Sequence, residues 1–394
     1  MKKVCILYSG WYNAPNGASS FVKSFVDNQS YFSEKIELDV YSKERFVYKD
    51  FTNKETIKKR NKIKFLIHRI LQYSTILSIV YNYFVEERHM REIVKRFCDS
   101  NPNYDVIHCQ ELSTAYYLYK YYPSIKSKVF LTLHTNGEDF SMVYTNKPAL
   151  NSWLGKKYLY NRLNFVLTHI TKVGFVSRKS MEIFSQNHPL FEREKLFYVY
   201  NGIIDKDFVK EPTSNKGRLH FICVGSLTNR KNQMGLIEAI TRLTPEEKIR
   251  VELSLVGDGI IREKLQDAVL TNNLDCVNFI GNTTEVDSYL KKADVFILVS
   301  KDEGLPISII EAMRIGLPVV GSNVAGIPEQ IIDGETGLVI EYDVVSITNA
   351  YKYMLSLSSE ELMIMGEKSK KLFKERFTVN RMFDNYIKLY QNFN

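Results

Sequence analysis

The 394-residue sequence has no apolar run long enough to cross a bilayer. Its best candidate, LQYSTILSIVYNYF, is 14 residues long against the ~20 that a spanning helix needs. It has no C-x-x-C pair, and its five cysteines (Cys5, Cys98, Cys109, Cys223, Cys276) are scattered and odd in number. Three of them sit in apparent strands, which argues for packed thiols in a reducing cytosol rather than a disulfide or zinc framework. No G-x-G-x-x-G follows the first strand, so a dinucleotide fingerprint is missing. The start, MKKVCILYSGWYN, carries too short an apolar run for a signal peptide and reads as a first strand. Internal repeats and low-complexity tracts are absent. So is any aromatic-interleaved basic motif, and no nucleic-acid partner is expected.

What is present fits two soluble domains of ordinary size, with 44% apolar and 25% charged residues. The net charge of +8 is uneven. Residues 1–200 hold 30 Lys+Arg against 18 Asp+Glu, or +12, and the remainder holds 23 against 27, or −4. That asymmetry points the first half at something anionic. Between Ile57 and Phe97 stand ten Lys/Arg and three Glu. There Ile57, Ile63, Ile67, Ile70 and Leu71 are interleaved with Lys58, Lys59, Arg60, Lys62, Lys64 and Arg69, a basic amphipathic helix suited to an anionic membrane surface.

The most informative stretch is Val299 to Ile340, VSKDEGLPISIIEAMRIGLPVVGSNVAGIPEQIIDGETGLVI. An apolar run from Val295 to Val299 predicts a buried parallel strand, Lys301 to Pro306 a turn, and Ser308 to Arg314 a helix ended by Gly316-Leu317-Pro318. Glu303 then lies beyond a strand's carboxyl end, where open α/β sheets bind ligands. Glu311 follows about two helical turns later, so both carboxylates can face one ligand across a helix start that favours anions.

This stretch resembles the donor-sugar site of the retaining glycosyltransferase family 4, whose members have the two-domain GT-B fold. The resemblance rests on Glu303-Gly304-Leu305-Pro306, Glu311-Ala312, Gly316-Leu317-Pro318-Val319-Val320, Gly326-Ile327-Pro328-Glu329, Gly334 and Gly337. It is strong from Asn201 to Ile340 and patchy before. It implies an α/β chain of two Rossmann-like domains facing a cleft. We expect an acceptor domain over 1–205, a nucleotide-sugar domain over 217–377, and a helix over 378–394 crossing back. Residues 211–217 read as the linker.

The resemblance also implies roles. Gly225 opens a phosphate loop, and Lys231 matches the family lysine that reaches the donor diphosphate. Ser226 stands where the family has arginine, and Arg230 is the expected substitute. Glu303 would hold sugar hydroxyls, Glu311 the ribose, and Gly304, Leu305 and Pro306 the loop between. Val286 would frame the base, His134 would contact the transferred sugar, and Gly17 would admit the diphosphate. Ser19 is expected to cap the helix after Gly17, and Glu138 and Asp139 are candidate acceptor-side carboxylates. Asp205-x-Asp207 looks like a metal motif of another transferase fold and is set aside, so neither metal nor cofactor is expected besides the nucleotide-sugar co-substrate. The expected enzyme is an NDP-sugar-dependent hexosyltransferase of the surface-polysaccharide type. It would be cytoplasmic and peripheral on the inner face of the plasma membrane, acting on a membrane-borne glycan or lipid-linked acceptor. The alternative is a non-catalytic GT-B accessory subunit that binds a glycosyltransferase partner or a glycosylated protein. Retention of His134, Lys231, Glu303 and Glu311 argues against it.

Overall fold

Short β-branched runs such as VCIL and VFIL are apolar at every position, a pattern that suits strands covered on both faces. In a computed structural model they form two parallel sheets. The structure describes residues 1–14, 17–45, 74–206, 208 and 217–392. The basic helix expected around 57–71, Asp207 and all of the linker but Gly217 lie outside the described residues.

The first sheet contains β1 (Lys2–Leu7), β2 (Ile36–Tyr41), β3 (Val106–Cys109), β4 (Lys128–Leu133), β5 (Lys172–Phe175) and β6 (Leu196–Tyr198), in the order β2-β1-β3-β4-β5-β6. The second contains β7 (Leu219–Val224), β8 (Val251–Val256), β9 (Val277–Gly281), β10 (Val295–Leu298), β11 (Val319–Ser322) and β12 (Gly337–Ile340), in the order β12-β11-β10-β7-β8-β9. Every pair within them is parallel. Read from β9, the second order is 3-2-1-4-5-6, that of a doubly wound nucleotide-binding sheet, with its reversal between β7 and β10.

The chain forms two compact units, Met1–Val199 with Phe383–Asn394, and Tyr200–Met382. The returning tail is anchored in the first unit by aromatic burial. Phe383 lies 4.7 Å from Phe32 and Tyr386 5.6 Å from Phe25, ring centre to ring centre. The Tyr390 hydroxyl sits 2.6 Å from Nδ1 of the fully buried His108, whose Nε2 meets Thr132 Oγ1 at 2.7 Å. Burial holds that imidazole neutral, at a pKa of about 3.

Two local expectations need correction. The helix after the first loop begins at Gly17, so Ser19 lies inside its first turn and is no cap. Its hydroxyl donates to the Trp11 carbonyl at 2.7 Å and lies 3.0 Å from the Tyr8 hydroxyl. The sequence from Thr56 to Phe97 reads as two long helices; in its described part the chain forms helix Thr75–Tyr81, a π-turn at Asn82–Glu86, and helix Arg88–Asp99. The break puts Glu87 in the interior, paired with Arg162 and accepting from the Tyr117 hydroxyl at 2.7 Å.

Candidate active site

Because the chain leaves β7 and β10 in opposite directions across the second sheet, the loops at their carboxyl ends diverge and leave a crevice. The loop after β7 turns at Gly225 and ends in a 3₁₀ turn, Asn229–Lys231, closed by Asn232 in the left-handed region (φ 56°). Two glycines from the next strand-to-helix connection let this loop lie flat. A Cβ on Gly257 would fall 2.1 Å from the Gly225 carbonyl oxygen, and one on Gly259 2.1 Å from that of Leu227. The Gly257-Asp258-Gly259 sequence therefore packs backbone on backbone against this loop.

From this loop Lys231 reaches the loop after β10. Its Nζ lies 2.6 Å from Glu303 Oε1, and Arg230 Nη1 lies 2.8 Å from the same oxygen. Arg230 also donates to the Asp302 carbonyl at 2.6 Å, and the Lys301 N–H donates to the Arg230 carbonyl at 2.8 Å, so the two loops are stitched. Lys231 and Glu303 are both buried. Burial pushes the Glu303 carboxyl up, but the charges of Lys231 and Arg230 outweigh it and hold the group below its ordinary value. This contribution to stability is present above the ordinary carboxylate pKa and is lost as pH falls through the lowered one. Two cations on one carboxylate leave a net positive charge, and helix Ile307–Ile315 starts close by without a side-chain cap on its N–H groups. Gly304, Leu305 and Pro306 are buried in the turn, held by the Gly326 N–H donating to the Gly304 carbonyl at 3.0 Å.

Glu311 sits in the middle of that helix. It makes no hydrogen bond or ion pair among the described residues, and burial raises its carboxyl to about 7, with Arg314 opposing and Asp287 adding to the shift. Ionising Glu311 in the folded protein is therefore costly, and the cost is absent below about pH 4.5 and complete above about 7. Glu311→Gln should be more stable than the parent at pH 8, by about 3 kcal/mol at most, and equal to it at pH 4.5. Urea unfolding at the two pH values checks this, and a pH-independent difference contradicts it. Arg314, also buried, donates from Nη2 to Asp287 Oδ1 at 2.6 Å and from Nη1 to the Ile204 carbonyl at 3.1 Å. It thereby fixes helix Val286–Leu290, and so Val286, against the helix of Glu311. Sequence reasoning did not single out Arg314.

The remaining candidates belong to the first unit. His134 follows β4, half-buried, with its ring edge-on to Phe21 at 5.0 Å. Gln110 gives its amide N–H to the His108 carbonyl at 3.5 Å and so turns Oε1 toward His134 Nε2, 3.1 Å away. Nε2 therefore carries the proton, and burial lowers the pKa to about 4, so the ring is neutral at physiological pH. The first sheet reverses between β1 and β3, where Glu111 accepts from the Ser9 N–H (3.0 Å), the Ser9 hydroxyl (2.9 Å) and the Thr114 hydroxyl (2.6 Å). Gln110 and Glu111 went unnoticed in the sequence, although they directly follow a strand end. Gly17 is exposed at its helix start. Asp139 is paired with His188 at 2.8 Å, and Glu138 is exposed.

Two doubly wound units, one with a cationic carboxylate-bearing crevice at its switch point, define a GT-B protein. The Glycosyl transferases group 1 family model matches residues 205–372. That match lies within the second unit and, with the relatives and the fold, supports a GT-B glycosyltransferase of the family 4 type. The chain is 26% identical to N-acetyl-alpha-D-glucosaminyl L-malate synthase of Bacillus anthracis over 336 residues, 81% of each chain. It is 28% identical to the O-antigen biosynthesis glycosyltransferase WclY of Escherichia coli over 201 residues, 49% of this chain and 55% of that one. The crystal structure of Anabaena HepE in complex with UDP and glucose superposes with a TM-score of 0.70 at 14% identity, covering all of both chains.

Proposed function

We propose that this glycosyltransferase moves a hexose from a nucleotide-diphosphate sugar to an acceptor hydroxyl with retention at the anomeric carbon. The observation that carries the reading is the Lys231–Glu303–Arg230 cluster at the β7/β10 switch point, where two cations meet one carboxylate beside an uncapped helix start. In the transition state, negative charge moves onto the leaving diphosphate while the sugar becomes an oxocarbenium ion. Lys231, Arg230 and the helix N–H groups stabilise that charge without reorganising. Glu303, kept ionised by its cations, accepts hydrogen bonds from sugar hydroxyls. Glu311 does the same for the ribose, Val286 frames the base, and Gly225 and Gly17 allow close backbone approach. His134, neutral, contributes a hydrogen-bonding group for the transferred sugar. No carboxylate is assigned as a covalent nucleophile. The leaving phosphate takes the acceptor's proton in a front-face attack, without a metal. The acceptor is membrane-borne, a lipid-linked glycan intermediate. The cytoplasmic, membrane-peripheral location and the reading of Arg230 as substitute for the arginine absent at Ser226 belong to the same proposal.

A panel of nucleotide sugars, assayed for slow hydrolysis with the parent protein and Glu303→Ala, tests it. One donor should turn over in the parent only, and equal rates would leave an accessory binding role. For Arg230→Ala, donor affinity should fall about tenfold, since one charge-assisted contact of roughly 1.5–3 kcal/mol is removed. Unchanged KM and turnover would show that the missing arginine is not replaced from this position.

A further inference from the structure

A second feature lies in the first unit, away from its switch point. Helix Thr75–Tyr81 packs inward through Ser78, which is buried, and Ile79, which meets the cluster of Leu150, Leu159 and Leu163. Its other side is apolar and uncovered. Ile76 (64% exposed), Leu77 and Val80 share a stripe about 100° wide, and Phe84 (61% exposed) and Val85 extend it through the π-turn. Thr75 is hydrogen-bonded to Ser152 at 2.8 Å, which brings the exposed start of helix Trp153–Leu167 alongside, with Trp153 (75% exposed) and Leu154. Large apolar side chains gathered in this way mark an interaction surface rather than scattered exposure.

The charges around it select the partner. Lys156 and Lys157 are exposed on the same helix as Trp153, with Lys157 Nζ 5.1 Å from that ring's centre. Glu86, the acidic group at the end of the π-turn, is neutralised by Lys147, and Arg88 just beyond it is paired with Glu92. A second copy of the chain would set this positive charge against itself. An anionic lipid surface would neutralise it while taking up the apolar stripe, with Trp153 at headgroup depth. Among the described residues no helix is long and apolar enough to cross a membrane. We infer that the face formed by Ile76, Leu77, Val80, Phe84, Trp153 and Leu154 docks in plane on an anionic bilayer. This deepens the membrane-borne acceptor reading and rests on it for its purpose, though not for its geometry.

The test uses the full chain and vesicles of phosphatidylcholine with roughly 30% phosphatidylglycerol, beside phosphatidylcholine alone. Trp11 and Trp153 are the two tryptophans, so Trp11→Phe makes Trp153 a single fluorescent reporter. Its emission should shift to the blue on anionic vesicles and be quenched by brominated lipid tails. The triple variant Ile76→Ser, Phe84→Ser, Trp153→Ser should partition at least about tenfold more weakly, with an unchanged circular dichroism spectrum and unchanged nucleotide-sugar hydrolysis. An unshifted Trp153, or a triple variant that sediments with vesicles like the parent, overturns the inference. So does self-association without lipid that the triple variant abolishes. Hydrolysis is read separately, so a failed donor reading and a failed docking surface give different results.

Discussion

Lys231→Ala should lower turnover about 10²–10³-fold at saturating donor, the loss associated with removing one preorganised group that meets transition-state charge. The lysine is buried, its ammonium is fixed 2.6 Å from Glu303, and the loop that carries it is pressed flat by Gly257 and Gly259. Little reorganisation is then needed when the diphosphate takes on charge. Because that charge grows during the proposed reaction, the loss should fall on kcat more than on KM. The variant also leaves Glu303 with Arg230 alone, so its carboxyl pKa should rise and the acidic limb of the pH–rate profile should move upward. Lys231→Arg should recover only part of the rate, because a planar guanidinium does not reproduce a point charge in the same space. Steady-state kinetics with the identified donor checks this. A turnover within about twofold of the parent would remove Lys231 from the chemistry.

Arg162→Ala should destabilise the first unit by about 3–5 kcal/mol, since it strands a carboxylate in the interior. Glu87 is 4% exposed, and without Arg162 it keeps, among the described residues, only neutral donors: the Tyr117 hydroxyl at 2.7 Å, the Asn82 amide at 3.0 Å and the Ser113 hydroxyl at 3.2 Å. The guanidinium also lies over the Tyr158 ring at 4.2 Å, so truncation loses packing as well as charge. The double change Arg162→Met, Glu87→Leu should recover most of the loss, because the penalty belongs to the unpaired charge rather than to the missing pair. Urea titration of the three proteins measures it. A single variant within about 0.5 kcal/mol of the parent would contradict the assignment.

The carboxylate-bearing part of the candidate site was legible because its residues are close in sequence. Glu303-Gly304-Leu305-Pro306 needs its glycine and proline within one turn, and Glu311 follows on the helix that this turn starts. The pairing of Lys231 with Glu303 was not legible. It depends on β7 and β10 being neighbours, and strand order is a long-range property that no single segment encodes. Arg314 looked like an ordinary basic residue near a helix end, yet its partners, Asp287 and the Ile204 carbonyl, come from two other segments. Ser19 misled for a different reason. A serine just before an apolar run is a good cap signal, but here its hydroxyl is taken by Trp11 and Tyr8, and the helix starts at Gly17. The π-turn at Asn82–Glu86 shifts the helical phase within an apolar stretch, which periodicity alone cannot register.

The most direct measurement is calorimetric titration of nucleotide-diphosphate sugars into the parent protein and into the Lys231→Ala, Glu303→Ala double variant. One donor should bind the parent at a single site, and the double variant should lose at least about tenfold in affinity, or 1.4 kcal/mol. If no nucleotide sugar binds, or the double variant binds as tightly as the parent, the cluster at the β7/β10 switch point is not a donor site.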